Sequence, residues 1–333
     1  MQKWRIYFLF FGILFSRPAW AQIEAVKGLE VQFGGDEPQL STSFQPSVGG
    51  APILKFQPNV PTKTFLGMGY GPFGASVGWV GVQDPTTANQ FGSTNSSDYQ
   101  FRLYLRKINI ESFIQNYQGY YLYNTGDAVA GYNSNSPRLL YPNMQSQHYG
   151  VVVTYKFSSE QFSSSAAFDQ YERQLSSGGS WLVNASIDYF NFSNNATFVP
   201  AGLTGQYNGF QNVYGGNILT YSQGFGYGYN WVLLQRWFLA AQAMVNIGPS
   251  YENYNYSGNI TASNSGFNGA QTHGKLALGY NGEKFCASAR VSLDSVSAPF
   301  PGVSVSYSAT ELSFYLGYRW TDFDIPWLDV NFF

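Results

Sequence analysis

Apolar and polar side chains alternate one for one along much of the chain. Tyr99, Phe101, Leu103 and Leu105 alternate with Gln100, Arg102, Tyr104 and Arg106, the signature of a two-faced β-strand. Tyr149, Val151, Val153, Tyr155 and Phe157 repeat the pattern, as does the run from Trp237 to Ile247. Twelve windows read as strands: 64–71, 74–82, 98–106, 108–120, 147–157, 164–173, 180–191, 219–232, 237–248, 272–280, 284–293 and 311–320. None contains a proline, as a fully paired sheet requires. Short turns join some of them, with Asn281-Gly282 the clearest hairpin signal.

A soluble β-sandwich also alternates, but its second face meets water and is rich in charge. Here the second face is mostly Gly, Ser, Gln, Asn and Tyr, and the apolar phase of the clearest strands carries no charge. The pattern predicts an all-β fold, a transmembrane antiparallel β-barrel of outer-membrane type with 12 to 14 strands. Fourteen is the preferred count, because extra strands at 51–57 and 196–204 would bring every short turn to the side of the chain termini. Trp79, Trp181, Trp231, Trp237 and Trp320 fall toward strand ends, where an aromatic girdle is expected.

The amino terminus fits that reading. Lys3 and Arg5 precede an apolar run from Ile6 to Phe15, and Ala19-Trp20-Ala21 supplies small residues before Gln22. This predicts a cleavable signal peptide over 1–21. A periplasmic segment over 22–49, a barrel over 50–320 and an unplaced tail over 321–333 complete the expected organisation. The tail ends in Phe333, as outer-membrane barrels often end in an aromatic, but Asp329 and Asn331 break the alternation leading to it.

Composition narrows the chemistry. Only 11% of the 333 residues are charged, 19% are aromatic, and there is a single Cys. A disordered chain would be depleted in aromatics, and Cys286 has no intramolecular disulfide partner. Losing Lys3, Arg5 and Arg17 with the signal leaves an acidic mature chain, which argues against nucleic acid as a partner. No HExxH, paired CxxC or phosphate-binding glycine loop is present, so no metal or cofactor is expected. His148 and His273 are the only histidines, and both are expected as rim residues rather than as catalytic ones.

Several stretches carry a family resemblance. Phe157-Ser-Ser-Glu-Gln-Phe-Ser163 is followed by Ala166-Ala-Phe168, Glu172-Arg-Gln174 and Ser177-Gly-Gly-Ser-Trp181. Pro58-Asn59 precedes the glycine-alternating stretch 66–70, and 102–122 closes on Tyr117-Gln-Gly-Tyr-Tyr-Leu122. Together these resemble the bacterial family catalogued as domain of unknown function 4421, over roughly 56–318. The resemblance implies a Gram-negative outer-membrane barrel and no established activity, so no site residue follows from it.

The lumen is where function is expected. Arg102, Arg106, Lys156, Lys275, Arg290 and Arg319 fall in the inward phase, against the inward carboxylates Glu111, Asp169 and Asp188. One reading is a pore or small-solute transporter whose basic-leaning lumen favours anions. Another is a closed structural or surface-interaction barrel, its inward charges neutralised as Arg102 and Arg106 with Glu111 and Lys156 with Asp169, displaying loops at 126–144, 205–213 and 251–269. A lipid-modifying enzyme is the remote third. Outer-membrane lipid and the barrel-assembly machinery are the expected partners, with any solute or surface ligand unidentified.

Overall fold

The alternation is realised as one closed antiparallel sheet. The computed structural model describes residues 22–325 apart from 48, 208, 257–259 and 301. The expected signal peptide and the end of the tail, 326–333, lie outside the described residues.

In chain order the strands are β1 (Ile23–Ala25), β2 (Leu29–Pro46), β3 (Leu54–Pro58), β4 (Lys63–Tyr70), β5 (Phe73–Val80), β6 (Asn95–Tyr104), β7 (Ile108–Leu122) and β8 (Leu139–Lys156). Then come β9 (Glu172–Gln174), β10 (Gly178–Ser193), β11 (Val213–Leu233), β12 (Trp237–Tyr256), β13 (Ile260–Asn281), β14 (Phe285–Phe300) and β15 (Val303–Trp320). Apart from β1 and β9, they form a 13-stranded sheet that closes where β15 pairs with β2. β3 and β4 both lie antiparallel to β2, against residues 42–44 and 29–36 in turn. They are two pieces of one broken strand, so twelve strands close the barrel at its belt, the lower of the two expected counts.

Eleven predicted windows lie on these strands, but the twelfth, 164–173, does not. It forms a buried helix, Ser164–Phe168, capped by Ser163 Oγ accepting from Ala166 N at 2.9 Å, followed by β9. The missing barrel strand is β2, which corrects the expected periplasmic segment 22–49: Leu29–Pro46 runs the full height of the wall beside β15. Of the two strands described in that segment, β1 is not part of the barrel sheet and pairs with β9. Of the two extra strands, 51–57 is partly realised as β3, whereas 196–204 holds irregular chain and the start of a 3-10 helix, Ala201–Gln206.

The described chain ends share one end with most of the short turns, the short connection between β14 and β15 being the exception. The turns at 71–72, 105–107, 234–236 and 282–284 are there, and long connections such as 81–94, 123–138 and 194–212 are at the other, as expected for an outer-membrane barrel. The β11–β12 turn is strained: Leu234 and Gln235 take φ of 52° and 58°, a geometry that favours Asn-Gly. Leu234→Asn with Gln235→Gly is therefore expected to raise stability by about 1–2 kcal/mol, read as a higher urea midpoint of the folded barrel in detergent.

The outer wall has an apolar belt between two aromatic levels. Trp181, Trp231, Trp237 and Trp320 point outward near the terminal end, and Trp79 points outward at the far end of β5. Tyr99, Ile114, Tyr149, Tyr189, Leu219 and Tyr251 follow one another in a single register row across six strands. Beyond this level the pattern inverts within the same strands. β15 presents Leu312, Phe314 and Leu316 outward in the belt, but buries Val303, Val305 and Tyr307 inward nearer its start, with serines outside. The inversion marks where the wall leaves lipid: outside, water replaces hydrocarbon, and the interior becomes the place to bury apolar area.

Candidate functional site in the barrel lumen

The lumen is filled at successive levels. Nearest the termini, the fully buried Arg319 reaches Glu30 Oε2 at 2.6 Å and Asn281 Oδ1 at 2.8 Å, and donates to the carbonyls of Gly282 and Gln170. Gln32 adds bonds to Glu30 Oε1 and to the Asp169 carbonyl, both 2.6 Å. Two of these acceptors, the carbonyls of Gln170 and Asp169, belong to the segment between β8 and β10, which enters the barrel as a plug. Its helix is built of Ser, Ala and one Phe, small enough to fit beside Leu182, Phe238, Ala240, Met244 and Ala277.

Asp169 follows the plug helix and is the point where the plug is gripped. Arg290 Nη1 lies 3.1 Å and Arg102 Nε 3.5 Å from its Oδ1, and Tyr104 OH donates to Oδ2. Burial alone would raise the Asp169 pKa. Arg102, Arg290, Lys275 and the Tyr104 bond outweigh it and hold the carboxyl below its ordinary range. Arg290 and Tyr315 OH also donate to the Phe168 carbonyl, at 3.3 and 3.2 Å. Tyr171 of the plug slots against Gly69 and Gly74, which face each other across β4 and β5.

Above the plug, Lys63 Nζ is held by Asp98 at 2.6 Å, Glu311 at 3.1 Å and Asp36 at 3.4 Å. A polar cavity of about 20 Å³ lies between this cluster and Asp169, room for about one water. Lys275 reaches Glu111 across the lumen at 2.8 Å, from β13 to β7. Higher still, Asp188 lies 3.6 Å from His148 Nε2 and accepts from Ser186 and Gln271 at 2.8 and 3.1 Å. His273 meets Asp294 at 2.7 Å.

The upper interior is apolar. Phe44 touches the rings of Phe56, Phe192, Phe198 and Phe210 at centroid distances of 4.8–5.4 Å. Phe198 and Phe210 come from the 194–212 connection, which turns into the barrel mouth instead of projecting from it. His148 packs against Phe113 and Tyr307 at 4.6 and 4.9 Å.

These positions revise the expected site. Arg102, Arg290, Arg319, Lys156, Lys275, Glu111 and Asp188 do face inward. Arg106 does not: it pairs with Glu160 at 2.9 Å on the exposed rim, its side chain 67% exposed. Asp169 belongs to the plug and not to the wall. The anticipated pairs exchange partners: Arg102 takes Asp169, Glu111 takes Lys275, and the buried Lys156 interacts with Glu172. Both histidines lie inside the lumen, because β8 and β13 begin well before them. Ser186 Oγ bonds Asp188 and Ser222 rather than His148. The lumen is not basic-leaning, since Glu30, Asp36, Asp98 and Glu311 answer the cations. Those four, with Lys63, were missed. Glu30, Gln32 and Asp36, all at even positions, were the signal available for two of them, Glu30 and Asp36.

The family model described as domain of unknown function DUF4421 matches residues 40–320. No curated protein sequence matches the chain. Similar solved structures include the outer membrane protease OmpT from Escherichia coli, at 7% identity over 88% of this chain and 97% of that one, with a TM-score of 0.43. An outer membrane channel from Pseudomonas putida F1 is similar at 10% identity over 91% and 100%, TM-score 0.36. The translocator domain of the autotransporter NalP from Neisseria meningitidis is similar at 12% identity over 88% of each chain, TM-score 0.36.

Proposed function

The chain belongs to the family described as domain of unknown function DUF4421, and we propose that it is a closed, non-enzymatic outer-membrane barrel that acts through its outer wall and mouth rather than by conducting solutes. One observation carries this reading: two independent barriers fill the lumen in series, the ion-paired plug at Asp169 and the aromatic core around Phe44. A basic pore would need unpaired inward cations along a wetted path. Instead Lys63, Arg102, Lys275, Arg290 and Arg319 each have a carboxylate partner within 3.5 Å. The protein reaches the membrane by the barrel-assembly machinery and sits in outer-membrane lipid through its apolar belt. Planar-bilayer recording tests the reading: purified protein is expected to give no unitary currents, and steady channels would overturn it in favour of a pore.

A further inference from the structure

One stretch of the wall is a strand edge without a partner. β8 pairs with β7 as far as Leu139, but its ladder with β10 stops at Gln145, opposite Ser193. Along 139–144 no described strand pairs with β8 on the β10 side. The aromatic core causes the break: Phe198 is drawn into it, so the chain after Ser193 leaves the wall instead of extending β10. The two segments are tied by a side-chain bond, Tyr141 OH to the Phe198 carbonyl at 3.0 Å, rather than by a backbone ladder. Between them lies a gap of about 540 Å³, lined by Leu140, Tyr141 and Asn143 on one side and by Asn195, Ala196 and Val199 on the other.

Backbone direction decides what the gap presents. Tyr123 N donates to the Lys55 carbonyl on the β3 side, so its neighbour Leu122 turns its own polar groups toward β8, where Leu139 is opposite. Leu139 N accordingly meets Thr125 Oγ1 at 3.0 Å, and that hydroxyl donates to the Leu122 carbonyl at 2.6 Å. Alternation then aims the N–H and C=O of Leu140 away from β7 and into the gap. Pro142 lacks an N–H but leaves that of Leu140 in place. An open edge is ordinarily blunted by charge, yet 139–144 and 194–202 contain no charged residue. The gap also lies beyond the aromatic row, ~17 Å along β8 from Tyr149 to Met144, so lipid tails do not reach it. What would satisfy its edge is another backbone continuing the ladder of β7 and β8. We propose that the gap takes up an extended, uncharged segment of another cell-surface or secreted polypeptide, which adds to β8 as a strand in the place that β10 vacates.

The inference rests on the closed-barrel reading for a mouth that acts by contact, and the two fail separately, because currents in a bilayer would leave peptide binding unaltered. The probe is fluorescent acetyl-Thr-Val-Thr-Val-Thr-amide, added to the folded barrel in nanodiscs and followed by anisotropy. Saturable binding is expected. The same peptide with every backbone amide N-methylated keeps its side chains and loses its donors, and is expected to bind at least ~10-fold more weakly. Leu140→Pro removes the N–H aimed into the gap and is expected to weaken binding by about 5-fold, the worth of one backbone bond. Ala196→Trp, a change at an exposed residue that fills the gap, is expected to abolish binding. Both variants are expected to keep the wild-type unfolding midpoint, since neither removes a bond within the barrel. No saturable binding up to about 1 mM peptide, or wild-type affinity in both variants, would overturn the proposal. Equal binding of the N-methylated peptide would also overturn it, reassigning the gap to side-chain contact without a strand.

Discussion

Asp169→Asn is expected to release the plug. The substitution keeps the side chain's shape but leaves Arg102 and Arg290, both largely buried, facing each other without the carboxylate they share. Removing one partner of a buried ion pair costs about 3–5 kcal/mol, and here two cations lose their counterion together. The urea midpoint should fall accordingly, and trypsin should gain a site after Arg173, which in the wild type is held to Glu24 at 3.2 Å within the β1–β9 pair. The pH dependence has a definite sign. Despite its burial, the pKa of Asp169 is held below its ordinary 3.8 by Arg102, Arg290, Lys275 and Tyr104. Its contribution is therefore fully present above 3.8 and is lost as pH falls from there through the lowered folded value. Wild type should keep its plug protected from neutral pH down to about 3.8 and lose stability only below it, while Asp169→Asn shows no carboxylate contribution from this site. An unchanged midpoint with no new cleavage at neutral pH would show that Asp169 does not hold the plug.

The belt was legible because lipid imposes a single rule on each outward position, and Val151, Val153, Leu276, Leu278, Phe314 and Leu316 obey it. The wall above the belt was hidden by the inversion of that rule. On β15 the apolar phase passes from Val303, Val305 and Tyr307 to Leu312, Phe314 and Leu316, changing parity without a bulge, so a search for one continuous phase stops at 311. β2 was hidden by Gly34-Gly35, Glu37 and Pro38. Pro38 is tolerated because residues 37–41 pair with β15 alone, with no strand on their other side. The plug was misread because Ala166, Phe168 and Gln170 alternate with Ala167 and Asp169 closely enough to imitate a strand, while the decisive local signal was Ser163 ahead of small helix-forming residues. The electrostatics of the lumen followed from these omissions. With no window over β2, Glu30 and Asp36 went uncounted, and Asp98 and Glu311, the first residues of windows 98–106 and 311–320, were not placed inward, so a balanced interior read as a basic one.

Gly69→Val should expel the plug by a different route. Gly69 and Gly74 are opposite each other, and a Cβ on either would overlap the Tyr171 ring. Neither has a positive φ, so what these positions require is space rather than glycine's conformational freedom. Gly69→Val alone adds the overpacking cost of about 1–3 kcal/mol, and Tyr171→Ala alone costs about 3–5 kcal/mol for a buried aromatic. If the glycines exist to admit Tyr171, the valine fits once the ring is gone. The double variant Gly69→Val/Tyr171→Ala should then be less destabilised than the sum of the singles, by about 1–3 kcal/mol of coupling. Additivity within about 0.5 kcal/mol would detach Tyr171 from the slot. In bilayers neither single variant should conduct, even with trypsin cutting after Arg173, because Phe44, Phe192, Phe198 and Phe210 still close the far end. Currents in Gly69→Val would mean that the plug is the only barrier, and would turn the reading of this barrel from a closed wall to a gated pore.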